Sequence, residues 1–126
     1  MPCERTATVR SETMPTPTEV LKGTLDLMIL KSLSGGPQHG YGVVRWIRST
    51  TDGTLEVEDG ALYPALHRLA ARGWITAEWG ISENNRRAKY YELTVAGRRQ
   101  LRQELTSWAR FSEALTKIVN AKEARG

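Results

Sequence analysis

Two groups of side chains in this chain carry donors suited to recognising anions and base edges. The first is Tyr63, His67 and Arg68, set within one short segment. His67 and Arg68 can donate to bases or phosphates, and the Tyr63 hydroxyl can reach a phosphate oxygen. The second is Arg86, Arg87 and Lys89, which sit beside a Gly-, Ser- and Asn-rich stretch and can neutralise phosphates. Catalytic sets are missing. No nucleophile stands with a base in any recognisable pattern. One cysteine, Cys3, and two histidines are too few for the usual all-protein zinc site, so no metal and no cofactor is expected. Gly35, Gly36, Gly40 and Gly42 lack the preceding strand and the Lys-Ser/Thr pair of a phosphate loop. The chemistry is recognition, and the chain is expected not to be an enzyme.

The chain of 126 residues holds 18 Lys+Arg against 14 Asp+Glu, a net charge of +4. That excess permits a polyanionic partner without requiring one. It is also unevenly placed. Glu56, Glu58 and Asp59 offset Arg68 and Arg72, whereas Arg98, Arg99 and Arg102 cluster near the start of the last apolar-periodic segment. No apolar run reaches the ~18–20 residues of a membrane span, and the N-terminus lacks a secretory layout. With Cys3 as the single cysteine no internal disulfide is possible, and a reducing cytoplasm is the expected setting.

The elements that must position these groups follow from periodicity. Residues 1–18, with three prolines and five threonines, are expected to form a disordered arm, and 122–126 a disordered tail. Residues 20–34 predict a helix with two apolar stripes: Leu21, Leu25, Met28, Ile29 and Leu33 on one, and Val20, Leu27 and Leu30 on the other. A domain this small has one core, so the second stripe points to a partner subunit. Gly35-Gly36-Pro37 ends that helix. Residues 40–50 predict a second helix with Val43, Val44 and Ile47 inward and Trp46 near the inner face. Leu55-Glu56-Val57 alternates like a short strand.

Residues 59–72 predict a third helix, with Leu62, Leu66 and Leu69 inward and Ala61, Pro64, Arg68 and Ala71 outward. Pro64 is expected in its first turn. Residues 74–79 and 88–93 alternate as a hairpin around a polar tip, with Trp74 and Trp79 packed beneath it. Thr94 is an N-cap candidate for a long amphipathic helix to residue 121, carrying Leu101, Leu105, Trp108, Phe111, Leu115, Ile118 and Val119. Such a helix outruns the small core, which again implies a partner helix.

Three short helices, a hairpin and a long helix make a mainly α (α+β) winged helix-turn-helix. The expected domain spans 19–93 with a two-stranded wing, followed by a C-terminal dimerisation helix over 94–121. In that plan the third helix enters the major groove of double-stranded DNA and the wing approaches the backbone. Ala61, Pro64 and Ala71 keep the outer helix face slim enough to approach base edges. Dimer symmetry then predicts an inverted-repeat site. A winged module that docks proteins and does not bind DNA is the alternative, since fold does not fix function.

The segments LKGTLDLMILKSLSGGPQHGYGVVRWI, GALYPALHRLAARGWI and RRAKYYELTVAGRRQL resemble the PadR family of bacterial transcriptional regulators, in its short subfamily with one C-terminal helix. The likeness runs from about Leu21 to Val119. It implies a homodimeric repressor whose C-terminal helices pair with the partner's first helices. Leu21, Leu25, Leu101, Leu105, Trp108, Phe111, Leu115 and Ile118 are then the interface candidates. It further implies that Tyr41 and Tyr63 match tyrosines that pack or touch the phosphate backbone near the recognition helix, and that Arg86, Arg87 and Lys89 fall on a basic wing. In some multidrug-responsive relatives a Trp of the last helix stacks planar aromatic molecules between subunits. Trp108 sits at a comparable place and is the candidate effector residue.

Overall fold

The computed structural model describes residues 17–122, with side chains from residue 24 onward. Helix α1 (Pro17–Ser32) starts on a proline, whose fixed φ and missing N–H suit the first helical position. The arm expected over 1–18 otherwise lies outside the described residues. So do residues 123–126 of the expected tail. Leu25, Ile29 and Leu30 of α1 are buried, and Leu27 and Met28 pack against the core's edge. A single 3-10 turn (Leu33–Gly35) follows. The chain then reverses at Gly36, whose φ of 137° is left-handed territory that favours glycine.

Strand β1 (Gln38–His39) leads directly into α2 (Gly40–Thr50). His39 caps α2: the Gly42 N–H donates to its Nδ1 at 2.9 Å. Val43 and Ile47 are buried, while Trp46, expected near the core, is 37% exposed and lines an apolar pocket at the core's edge with Leu27, Met28 and Ile47. Asp52 and Gly53 turn the chain with positive φ. Residues 54–58 form no strand, contrary to the alternation of Leu55-Glu56-Val57. A strand needs a partner, and residues 54–58 pair with none of the three strands of the sheet.

Helix α3 (Asp59–Ala71) buries Leu62, Ala65, Leu66 and Leu69, the i, i+3, i+4, i+7 stripe of a helix with one core face. Pro64 is not in its first turn. It sits one turn further in, which leaves the Gly60 carbonyl without its helical N–H; Gly60 is exposed, so water can serve it. Gly73, at φ 78°, ends the helix.

Strands β2 (Ile75–Ile81) and β3 (Arg87–Leu93) form the hairpin, each running closer to the tip than expected. β1 adds to the other edge of β3, so the sheet has order β1-β3-β2. Trp74 is half-buried with the Arg72 guanidinium over its ring, whereas Trp79 is exposed rather than beneath the wing.

Helix α4 (Val95–Asn120) opens on Thr94, whose Oγ1 accepts from the Gly97 N–H at 2.9 Å and donates to the Gly73 carbonyl at 2.7 Å. Leu101 joins Leu25 in the chain's own core, at 6% and 5% exposure. These two interface candidates are therefore core residues, because the start of α4 packs across α1 within one chain. Leu21's side chain lies outside the described residues. Beyond Glu104, α4 leaves the core, and Leu105, Trp108, Phe111, Leu115, Ile118 and Val119 are exposed.

Candidate nucleic-acid interface

A cleft of about 570 Å³ opens between α3 and the hairpin. Tyr41 enters it from α2, Tyr63 and His67 from α3, and Arg86, Arg87 and Lys89 from the hairpin. These six candidates come from segments as far apart as residues 41 and 89, and the fold brings them to one concavity. The local reasons are legible. Gly40 lets the Tyr63 ring pack on the start of α2; a Cβ there would meet the Tyr63 hydroxyl at 2.8 Å. Tyr63 and His67, one helical turn apart, share a flank of α3. Tyr91 closes the floor beneath them. Burial, aided by the neighbouring Tyr63 phenol, pushes the Tyr91 hydroxyl above its ordinary value and keeps it neutral.

The hairpin turn over 82–86 is closed by Ser82 N–H to Arg86 carbonyl and Asn85 N–H to Ser82 carbonyl, both at 2.8 Å. Asn85 takes the left-handed position at φ 60°. Glu83 in this turn lies beside an imidazole and a guanidinium. His39 Nε2 and Arg45 Nη2 each lie 3.7 Å from its carboxylate. Its backbone amide, with smaller help from His39 and Arg45, holds that carboxyl below the usual carboxylate range. Arg45 also lies over the Tyr41 ring at 5.3 Å. The tip of the wing is thus tied to the start of α2, and the one acid of the turn faces these two basic groups.

Three candidates lie elsewhere. Ala61 and Pro64 are exposed on the neighbouring face of α3, outside the cleft. Arg68, expected to point outward, turns toward α1 instead, and its Nη2 donates to Asp26 Oδ1 at 2.7 Å. A guanidinium committed to a carboxylate at that distance is a strut between α1 and α3 before it is a reader of bases. Sequence reasoning missed His39, which is not a favoured cap residue, and Trp79. The hairpin register carried a signal for Trp79, since it stands opposite Lys89.

A second groove, of about 630 Å³, lies between α1 and α4 and is lined by Leu27, Met28, Leu55, Trp108 and Phe111 with a polar rim at Gln100, Gln103, Glu104 and Ser107. The Trp108 and Phe111 rings sit 5.9 Å apart, tilted by 39°. Among the described residues, no group of His, Cys, Asp and Glu could hold a metal ion, and no helix is long and apolar enough to cross a membrane.

Comparison with known proteins matches residues 29–103 to the transcriptional regulator PadR-like family. A transcriptional regulator from Clostridium thermocellum is 31% identical, with 80% of this chain and 98% of that chain covered and a TM-score of 0.73. A PadR-like transcriptional regulator from Bacillus cereus strain ATCC 14579 is 26% identical, covering 81% and 97%, with a TM-score of 0.70. An uncharacterized protein of Lysinibacillus sphaericus is 25% identical over 105 residues, which are 83% of this chain and 96% of that one.

Proposed function

The chain belongs to the PadR-like family of transcriptional regulators, which are not enzymes, and from that premise we propose that it is a homodimeric cytoplasmic repressor that binds an inverted repeat in double-stranded DNA. The observation that carries this reading is the cleft. Tyr41, Tyr63, His67, Arg86, Arg87 and Lys89 converge there from two helices and the hairpin. Hydroxyl, imidazole and cationic donors on one concave wall suit a phosphate track beside a groove. Ala61 and Pro64, small and exposed on α3, suit close approach to base edges. Arg68 contributes by fixing α3 against α1.

Dimerisation is supported by α4. Its exposed stripe from Leu105 to Val119 continues past the end of the core, and a stripe of that length in water is a surface awaiting cover. Leu105, Trp108, Phe111, Leu115 and Ile118 form the interface in this reading. Two-fold symmetry then sets the two α3 helices about one DNA turn apart, ~34 Å. A small planar aromatic molecule beside Trp108 and Phe111 would release the repressor by favouring one dimer arrangement over another.

The test is a titration of the purified chain against duplexes covering the DNA upstream of its own coding region, at several salt concentrations. A specific, salt-sensitive shift is expected at sub-micromolar protein. A chain that shifts no fragment at micromolar protein is not a DNA-binding regulator of this kind.

A further inference from the structure

Trp79 is 56% exposed, although an indole is the side chain with most to gain from burial. Its place follows from the register. Ile75, Ala77, Trp79 and Ile81 stand opposite Leu93, Tyr91, Lys89 and Arg87. Opposed residues of an antiparallel pair share a face, so these side chains form one strip. At its base, Ile75, Leu93 and Tyr91 are core. Past Tyr91 the core stops, and the strip continues over the cleft as Trp79, Lys89 and Arg87.

Charge is what meets the Trp79 ring. The Arg87 guanidinium lies 4.4 Å from its centroid and the Lys89 ammonium 5.7 Å. Both fall within the reach of the ring quadrupole, and a guanidinium plane also stacks well on an indole. Both cations therefore lie against the same ring. The acids of the hairpin do not compete. Glu78 and Glu92 belong to the opposite face by register, and Glu83 faces His39 and Arg45.

We propose that Trp79 is a positioning residue for DNA binding. Its indole gathers Arg87 and Lys89 into a pair on the cleft wall across from Tyr63 and His67, so the wing meets phosphates with its cations already ordered. The proposal rests on the DNA reading above. It adds a reason for an exposed tryptophan on a polar hairpin.

The experiment measures binding of the full chain to a fluorescein-labelled duplex of mixed sequence, by anisotropy, across a range of sodium chloride concentrations. Trp79→Ala is expected to weaken binding several-fold and to lower the slope of log K against log salt by about 0.9 for each phosphate that is no longer neutralised. Trp79→Phe keeps an aromatic face and is expected to keep the slope. In an Arg87→Ala/Lys89→Ala background, adding Trp79→Ala is expected to change nothing further. A Trp79→Ala chain with the wild-type slope overturns the proposal, as does a further loss in the doubly substituted background. If the wild type itself binds without salt sensitivity, the DNA reading fails and takes this inference with it.

Discussion

Among single residues, Arg68 shows how one side chain can satisfy two readings until its neighbours are known. Its type and helical position suit a base contact. Asp26, 42 residues earlier, decides otherwise by offering a carboxylate at 2.7 Å in a partly buried setting, with side-chain exposures of 30% for Arg68 and 17% for Asp26. Nothing in the local sequence announces that pairing. Removing either partner leaves the other underpaired and partly desolvated. Asp26→Asn and Arg68→Ala are each expected to cost about 1–3 kcal/mol in urea unfolding. Because the two act through one contact, the double variant should cost much less than the sum. Additive losses would mean that each residue works through something else. The Tyr63 position rests on a contact that neither segment shows alone: Gly40 removes a Cβ where the phenol packs.

Among the elements, helix ends were the most readable features. Gly36, Gly73 and Thr94 each mark a boundary through local backbone chemistry, and each falls where the chain turns or starts a helix. Strands were less so. Leu55-Glu56-Val57 has the alternation of a strand and no partner strand, while Gln38–His39 is too short to show alternation and pairs with β3. Pairing is a property of two segments, so one segment's pattern does not settle it. The junction of α4 with the sheet depends on Gly97. A Cβ there would overlap the Trp74 carbonyl, which already accepts from the Thr94 N–H. Gly97→Ala is therefore expected to destabilise the fold by about 1–3 kcal/mol, despite alanine's better helix propensity. Thermal unfolding checks it. A variant as stable as the wild type would show that α4 can slide away from Trp74 freely.

In the molecule as a whole, one end is a packed winged domain and the other is a helix that runs out of core. Leu25 and Leu101 belong to the first, and Trp108, Phe111, Leu115 and Ile118 to the second. If the free stripe is the dimer seam, charges placed on it should separate the subunits while leaving the winged domain folded. Phe111→Glu/Ile118→Glu is expected to sediment as a monomer with wild-type helix content, and to lose most affinity for an inverted repeat. A dimer that survives both substitutions places the interface on another surface. Arg98, Arg99 and Arg102 remain exposed near the start of α4. Part of the net positive charge therefore lies on α4, outside the residues that line the cleft. Local placement at the wing, rather than the total of +4, has to provide the phosphate contacts.

The order of the helices and the hairpin, the helix ends, the apolar stripes and the family are written in the chain itself, because they rest on local backbone chemistry and on periodicity within a segment. So were six donor side chains that meet in one cleft. What each side chain faces was settled only by packing in three dimensions. Arg68 is held by Asp26, Trp79 carries two cations rather than lying under the wing, and His39 links α2 to the turn of the hairpin. The Arg68 and His39 contacts join segments far apart in the chain, and the distance between those segments is set by packing around the core. The Trp79 contact joins two strands whose register and exposure the hairpin acquires only when its base is anchored in that core.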